Sequence, residues 1–192
     1  MKLTWIAGLA LVGAVATGCG DDGGSDKDSG SADPGNTTVE EGGDGEGGSE
    51  GGELPKFCDL LTADQLSEAV GATVTVTTGP FDACEFSQED PRAVSGSVGA
   101  VEVDTGNGGF DAYKTGSTSV LTDAVEQSID GLGDGAFVTT GSFGGSENLT
   151  AAGGVLVGGT VYTVNLAQSV GLSADELVAI GQHLLELLVE AA

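Results

Sequence analysis

The sequence predicts an α+β fold, an antiparallel sheet with an N-terminal and a C-terminal helix packed on one face. Two observations carry the helices. Leu61-Thr62-Ala63-Asp64-Gln65-Leu66 and Leu172-Ser173-Ala174-Asp175-Glu176-Leu177 write the same helix start twice, a hydroxyl N-cap with Gln or Glu three residues on and a leucine at either end. A third observation carries the sheet: between those starts the chain mostly alternates apolar and polar residues at a period of two. Helix, several antiparallel strands, helix is the order of an α+β domain.

The chain opens on residues 1–18, which read as a lipoprotein signal peptide. Lys2 is a short basic region, Thr4 to Val15 an apolar one, and the small residues Ala16, Thr17 and Gly18 lead directly into Cys19. The apolar run falls well short of the roughly 20 residues a helix needs to cross a bilayer, so the segment is expected to be cleaved. Cys19 is then the lipidation site. Its acyl chains would anchor the mature protein to the membrane without spanning it, because more than one chain on a residue holds far better than one.

Residues 19–54 are expected to be a disordered acidic tether. Beyond Cys19 they are mostly Asp, Glu, Gly and Ser, with too little apolar surface to offset chain entropy. As a flexible coil the segment would span about 30–35 Å. Asp21, Asp22, Asp26 and Asp28 are better read as a solvated spacer than as calcium ligands, since a disordered run offers no preformed cage.

Residues 55–192 form the globular α+β domain, long enough for a real core. Its first helix follows the Thr62 cap to about Val70, with Gly71 placed for a left-handed C-cap. Thr73 to Thr78 and Ser97 to Asp104 read as strands, the second with Val101 and Val103 on one face and Glu102 and Asp104 on the other. Gly109 to Lys114 reads as a short helix carrying Phe110 and Tyr113 inward. Gly135 to Thr140 is another strand, and Leu149 to Val157, Gly158-Gly159 and Thr160 to Leu166 form the clearest hairpin. The closing helix runs to about Val189, with Leu177, Ile180, Leu184, Leu187 and Leu188 as its apolar stripe and Gly181 permitting close approach to a sheet.

The chain has three cysteines. With Cys19 taken by the anchor, Cys58 and Cys84 are left as an even pair, which in an oxidising exterior forms a disulfide. Closing that loop is worth on the order of 3 kcal/mol in the chain-entropy model. No Cys-x-x-Cys spacing supports a redox or zinc role.

Cys58-Asp59-Leu60-Leu61-Thr62, the helix after it, Cys84 shortly before Phe86, the Gly131-Leu132-Gly133-Asp134-Gly135-Ala136-Phe137 segment and the closing amphipathic helix together resemble an uncharacterised family of actinobacterial cell-envelope lipoproteins. Phe86 stands where tryptophan is commoner in that family. The resemblance covers nearly all of the folded domain and implies anchoring outside the cytoplasmic membrane with a disulfide. It supplies no catalytic residues.

Composition excludes several functions. Thirty acidic side chains against five basic ones give a formal charge of −25. No basic patch exists to release counterions, so nucleic acid is ruled out as a partner, and the same field repels anionic lipid headgroups and favours cationic partners. The single tryptophan, Trp5, is lost with the signal.

Chemistry is sparse, and neither a cofactor nor a catalytic residue is expected. His183 is the only histidine and sits among acids on a helix face. The Gly131-x-Gly133-x-Gly135 run precedes a strand instead of a helix, which makes it a tight turn and not a phosphate cradle. Asp104, Asn107 and Asp111 on a Gly-rich loop are the best cation candidates, but oxygen ligands are missing at the third and fifth positions of an EF-hand.

The reading that results is a non-enzymatic lipoprotein on the extracytoplasmic face of the cell membrane. It would bind a partner protein or a small hydrophobic or cell-wall ligand on the sheet face left uncovered by helices. The alternative is an accessory or sensor module modulating an envelope machine, its tether supplying reach. A hydrolase is the weakest reading.

Overall fold

The structure, a computed structural model, describes residues 53–168 and 171–192, all within one compact unit. Cys19 and the other residues up to 52, those read as signal peptide and tether, lie outside the described residues. Seven strands form a single antiparallel sheet in the order β1-β2-β3-β7-β6-β5-β4. They are β1 (Thr75–Thr78), β2 (Cys84–Ser87), β3 (Ser95–Glu102), β4 (Leu121–Ile129), β5 (Gly135–Phe143), β6 (Leu149–Val157) and β7 (Thr160–Ala167). The helices are α1 (Phe57–Leu60), α2 (Ala63–Val70), α3 (Gly109–Ser119) and α4 (Ala174–Ala191). None of the described helices is long and apolar enough to cross a membrane.

Both capping boxes form. The Thr62 hydroxyl accepts from the Gln65 N–H at 3.2 Å while the Gln65 side chain accepts from the Thr62 N–H at 2.9 Å, satisfying donors that a helix start leaves orphaned. Ser173 and Glu176 repeat the exchange at α4, with the carboxylate 2.8 Å from the Ser173 N–H. Gly71, at φ 77°, ends α2 in the left-handed conformation that glycine adopts without a Cβ penalty.

The two terminal helices share one buried cluster with the sheet. α4 lies across β5, β6 and β7, and α2 packs against α4. Gly181 is where helix and sheet come closest, since a Cβ there would sit 3.1 Å from Val138 Cγ2. The buried arc of α4 is wider than a single stripe: Val178 and Leu185 are buried together with Leu177, Leu184 and Leu188, while Ile180 and Leu187 are half-buried. The reason is position, because α4 meets the sheet on one side and α2 on another.

α3 lies on the opposite face. Phe110 and Tyr113 meet Phe137 edge-on at ring separations of 5.7 and 6.2 Å, and Phe137 is the strand neighbour of Val138. Successive side chains in a strand point to opposite faces, so α3 and α4 flank β5 from either side. The helix foreseen from Gly109 to Lys114 therefore runs on to Ser119, fixed at its middle by Lys114, whose ammonium is 2.7 Å from Glu126 on β4 and 5.9 Å above the Phe137 ring.

The Gly-Gly hairpin forms as read, with Gly158 and Gly159 at φ 57° and 93° between β6 and β7. Strand β3 begins at Ser95 and is read on the wrong face in the sequence. Val98 is buried opposite Val164, whereas Val101 is 38% exposed on the other face. Val103 lies beyond the end of the strand. Two strands are additional to those read from the sequence, β2 and β4. β4 is broken by a bulge between Thr122 and Val125, where Asp123 takes φ 52°, so it never shows a clean period of two.

Candidate functional site

The sheet face that carries α3 is covered over β4, β5, β6 and the start of β7, where Val161 and Thr163 are buried, and open over β1, β2, β3 and the end of β7 at Asn165 and Ala167. Strand pairing decides what that open part presents. Thr77 pairs with Glu85, Glu85 with Ser97 and Ser97 with Asn165, which draws a row of polar side chains straight across four strands. A second row begins with the Thr75–Ser87 pair and includes the Ser95–Ala167 pair. Apart from Thr75, these residues line an open groove of about 410 Å³.

The groove is built of hydroxyls, one amide and one carboxylate. Glu85 is its only charged side chain, and its carboxylate folds over Gly79, where a Cβ would sit 2.3 Å from Oε1. Phe86 and Leu166 contribute to the edges, but their side chains belong to the buried cluster on the far face. Thr77, Glu85, Ser87 and Asn165 are exposed and Ser95 and Ser97 half-buried. The arrangement supplies donors and acceptors at strand spacing, which suits a ligand that hydrogen-bonds along its length. It provides no aromatic platform facing the groove for stacking.

The cysteines come together as read. Cys58 at α1 and Cys84 at the start of β2 form a disulfide with Cα atoms 4.9 Å apart. It holds α1 against the sheet, where the buried Phe57 meets Tyr162 edge-on at 5.2 Å. Cys19 lies outside the described residues.

Of the cation candidates, Asp104 and Asn107 are brought together and turned inward on their own loop. The Asp104 carboxylate accepts from the Gly106 N–H at 2.8 Å and from the Asn107 side-chain amide. Asp111 sits in the first turn of α3, where a carboxylate suits the helix dipole. Among the described residues, no group of three or more His, Cys, Asp or Glu side chains is placed to hold a metal ion. The Gly131–Gly135 run is a turn between β4 and β5, with Gly131 and Gly133 at φ 78° and 56°. Asp134 within it ties that turn to the hairpin, its N–H 2.8 Å from the Leu156 carbonyl and its carboxylate 3.2 Å from the Gly158 N–H.

His183 is exposed on α4 beside Glu186 and Glu190 and faces α2. Two side chains titrate away from their ordinary values. Burial pushes the Tyr113 phenol up, and its hydroxyl lies 3.5 Å from the Gly153 carbonyl. Hydrogen bonds from the Ser173 backbone and hydroxyl hold the Glu176 carboxyl below its ordinary value. Both serve the fold.

The polar rows are the feature of the candidate site that is missed in the sequence. One signal was present: Thr75 and Thr77, Glu85 and Ser87, and Ser95 and Ser97 are each two residues apart, so each pair shares one face of its strand. What alternation cannot give is the register that lines them up across four strands. No family model, curated protein or solved structure matches this chain.

Proposed function

We propose that this protein is a non-enzymatic binding module of the bacterial cell envelope, anchored through Cys19 on the extracytoplasmic face of the membrane and similar to the actinobacterial lipoproteins its sequence resembles. Its ligand is a small cell-wall fragment rich in hydroxyl and amide groups, taken by the groove over β1, β2, β3 and β7. The observation that carries this reading is the row Thr77, Glu85, Ser97 and Asn165 on the part of the sheet face that α3 leaves open. The Cys58–Cys84 bond supports an oxidising location, since such bonds persist outside the cytoplasm and are rare within it. The tether of residues 19–54 would give the module reach from the membrane into the wall.

The test is a titration with soluble peptidoglycan fragments, glycan and stem peptide together, followed by amide chemical shifts. Shifts centred on Thr77, Glu85, Ser97 and Asn165 are expected, and a Ser97→Val, Asn165→Val double variant should weaken binding at least about tenfold by removing two hydrogen-bonding groups. Absence of binding, or shifts confined to another surface, refutes the assignment.

A further inference from the structure

The opposite side of the domain carries a second recess with different chemistry. Two adjoining hollows of about 600 and 350 Å³ lie between α2 and α4 and share Glu68, Ala69 and His183. Their apolar part includes Ala69 from α2 with Ile180 and Leu187 from α4, all half-buried, together with Val70, Leu172 and Ala179, and the exposed His183 stands between Ile180 and Leu187 along α4. Ile180 and Leu187 are seven residues apart, two helical turns or about 10 Å. Around them stand Glu68, Glu186 and Glu190, with Glu176 at the far end. Among the described residues, no lysine or arginine lines either hollow.

An apolar floor with knobs two turns apart is the geometry into which the i, i+3/i+4, i+7 residues of an amphipathic helix fit. The carboxylate rim decides the sign of that helix. A second copy of this chain would bring the same glutamates against these ones, and like charges across an interface cost several kcal/mol. The chain's own acidic segment, residues 20–54, is repelled for the same reason, as is an anionic lipid surface. We propose that the α2–α4 groove docks a cationic amphipathic helix of a partner protein, its apolar face on Ala69, Ile180 and Leu187 and its lysines or arginines on Glu68, Glu186 and Glu190. This surface lies across the sheet from the polar groove and stands independently of any ligand there.

The experiment is fluorescence anisotropy of the full chain at low salt with two labelled peptides of identical Lys and Leu composition. One places leucines at i, i+3/i+4 and i+7; the other scrambles them so that no apolar face forms. The ordered peptide is expected to bind at least about tenfold more tightly, and the Glu68→Gln, Glu186→Gln, Glu190→Gln variant should lose about tenfold or more of that affinity. A control with the same change in charge elsewhere, Glu89→Gln, Glu102→Gln, Glu147→Gln, should bind as the parent does. The proposal is overturned if neither peptide binds, if both bind equally, or if the two triple variants lose affinity alike, since the last two outcomes reduce the effect to general charge attraction.

Discussion

Breaking the Cys58–Cys84 bond should lower the stability of the domain without changing its fold. The bond closes a loop with a sequence separation of 26 residues, containing the end of α1, all of α2 and all of β1. In the chain-entropy model a loop of that length restricts the unfolded ensemble by about 12 cal/mol/K, or about 3.5 kcal/mol at room temperature. The native state offers little to replace it. α1 has only four residues and no side-chain cap, and its one deeply buried anchor is Phe57. For a domain of this size, a change of 1 kcal/mol moves the melting temperature by about 3 °C, so the expected loss is about 10 °C. The assay is calorimetry of the oxidised chain against the chain reduced in denaturant and refolded in phosphine, which leaves both sulfurs in place and removes only the crosslink. Melting points within about 2 °C of each other would refute the loop-closure reasoning. Alkylation of both thiols without reductant would refute the bond itself.

Two further outcomes follow from single side chains. Thr139 is wholly buried on β5 and its hydroxyl finds no hydrogen-bond partner among the described residues, so Thr139→Val exchanges a desolvated polar group for a methyl of the same shape. Stability should rise by about 1–2 kcal/mol in urea unfolding, and a loss would mean that the hydroxyl is paired after all. Glu176 is a pH-dependent cap. Its carboxyl is held below its ordinary value by Ser173, so its contribution is fully present above the unfolded-state value and disappears as pH falls through the lowered one. Melting curves of the parent and Glu176→Gln should therefore differ at neutral pH and converge in acid. A gap that stays constant across the acid range would show that the carboxylate charge is not what the cap uses.

The ends of the domain were legible because they rest on local chemistry. A capping box needs only a hydroxyl and a Gln or Glu three residues later, and Thr62 with Gln65 and Ser173 with Glu176 form the predicted bonds. A Gly-Gly turn between two alternating runs is equally local, and β6 and β7 pair through it. The errors arose where partners decide. Which face of β3 is buried depends on its pairing with β7, which follows it by more than fifty residues, and that pairing puts Val98 inside and Val101 outside. The edge strand β4 was missed because its bulge at Asp123 breaks the alternation, and a disrupted, charged edge is how a sheet avoids pairing with another chain.

The polar groove shows the same limit in a form that bears on function. Each contributing strand is short or weakly patterned, and its small polar residues look like ordinary solvent-facing positions when taken strand by strand. Their meaning comes from two nonlocal facts, the β3–β7 pairing that continues the row to Asn165 and the placement of α3 over the other half of that face. α3 stays there because Phe110 and Tyr113 engage Phe137, while Gly154 leaves room for Tyr113 where a Cβ would sit 2.8 Å from its ring. Had β6 carried a side chain at that position, α3 could not lie as close, and the boundary between covered and open sheet would move. The residues that define the candidate site therefore include Gly154 and Phe137, which never touch the groove: they hold the helix whose edge decides where the groove begins.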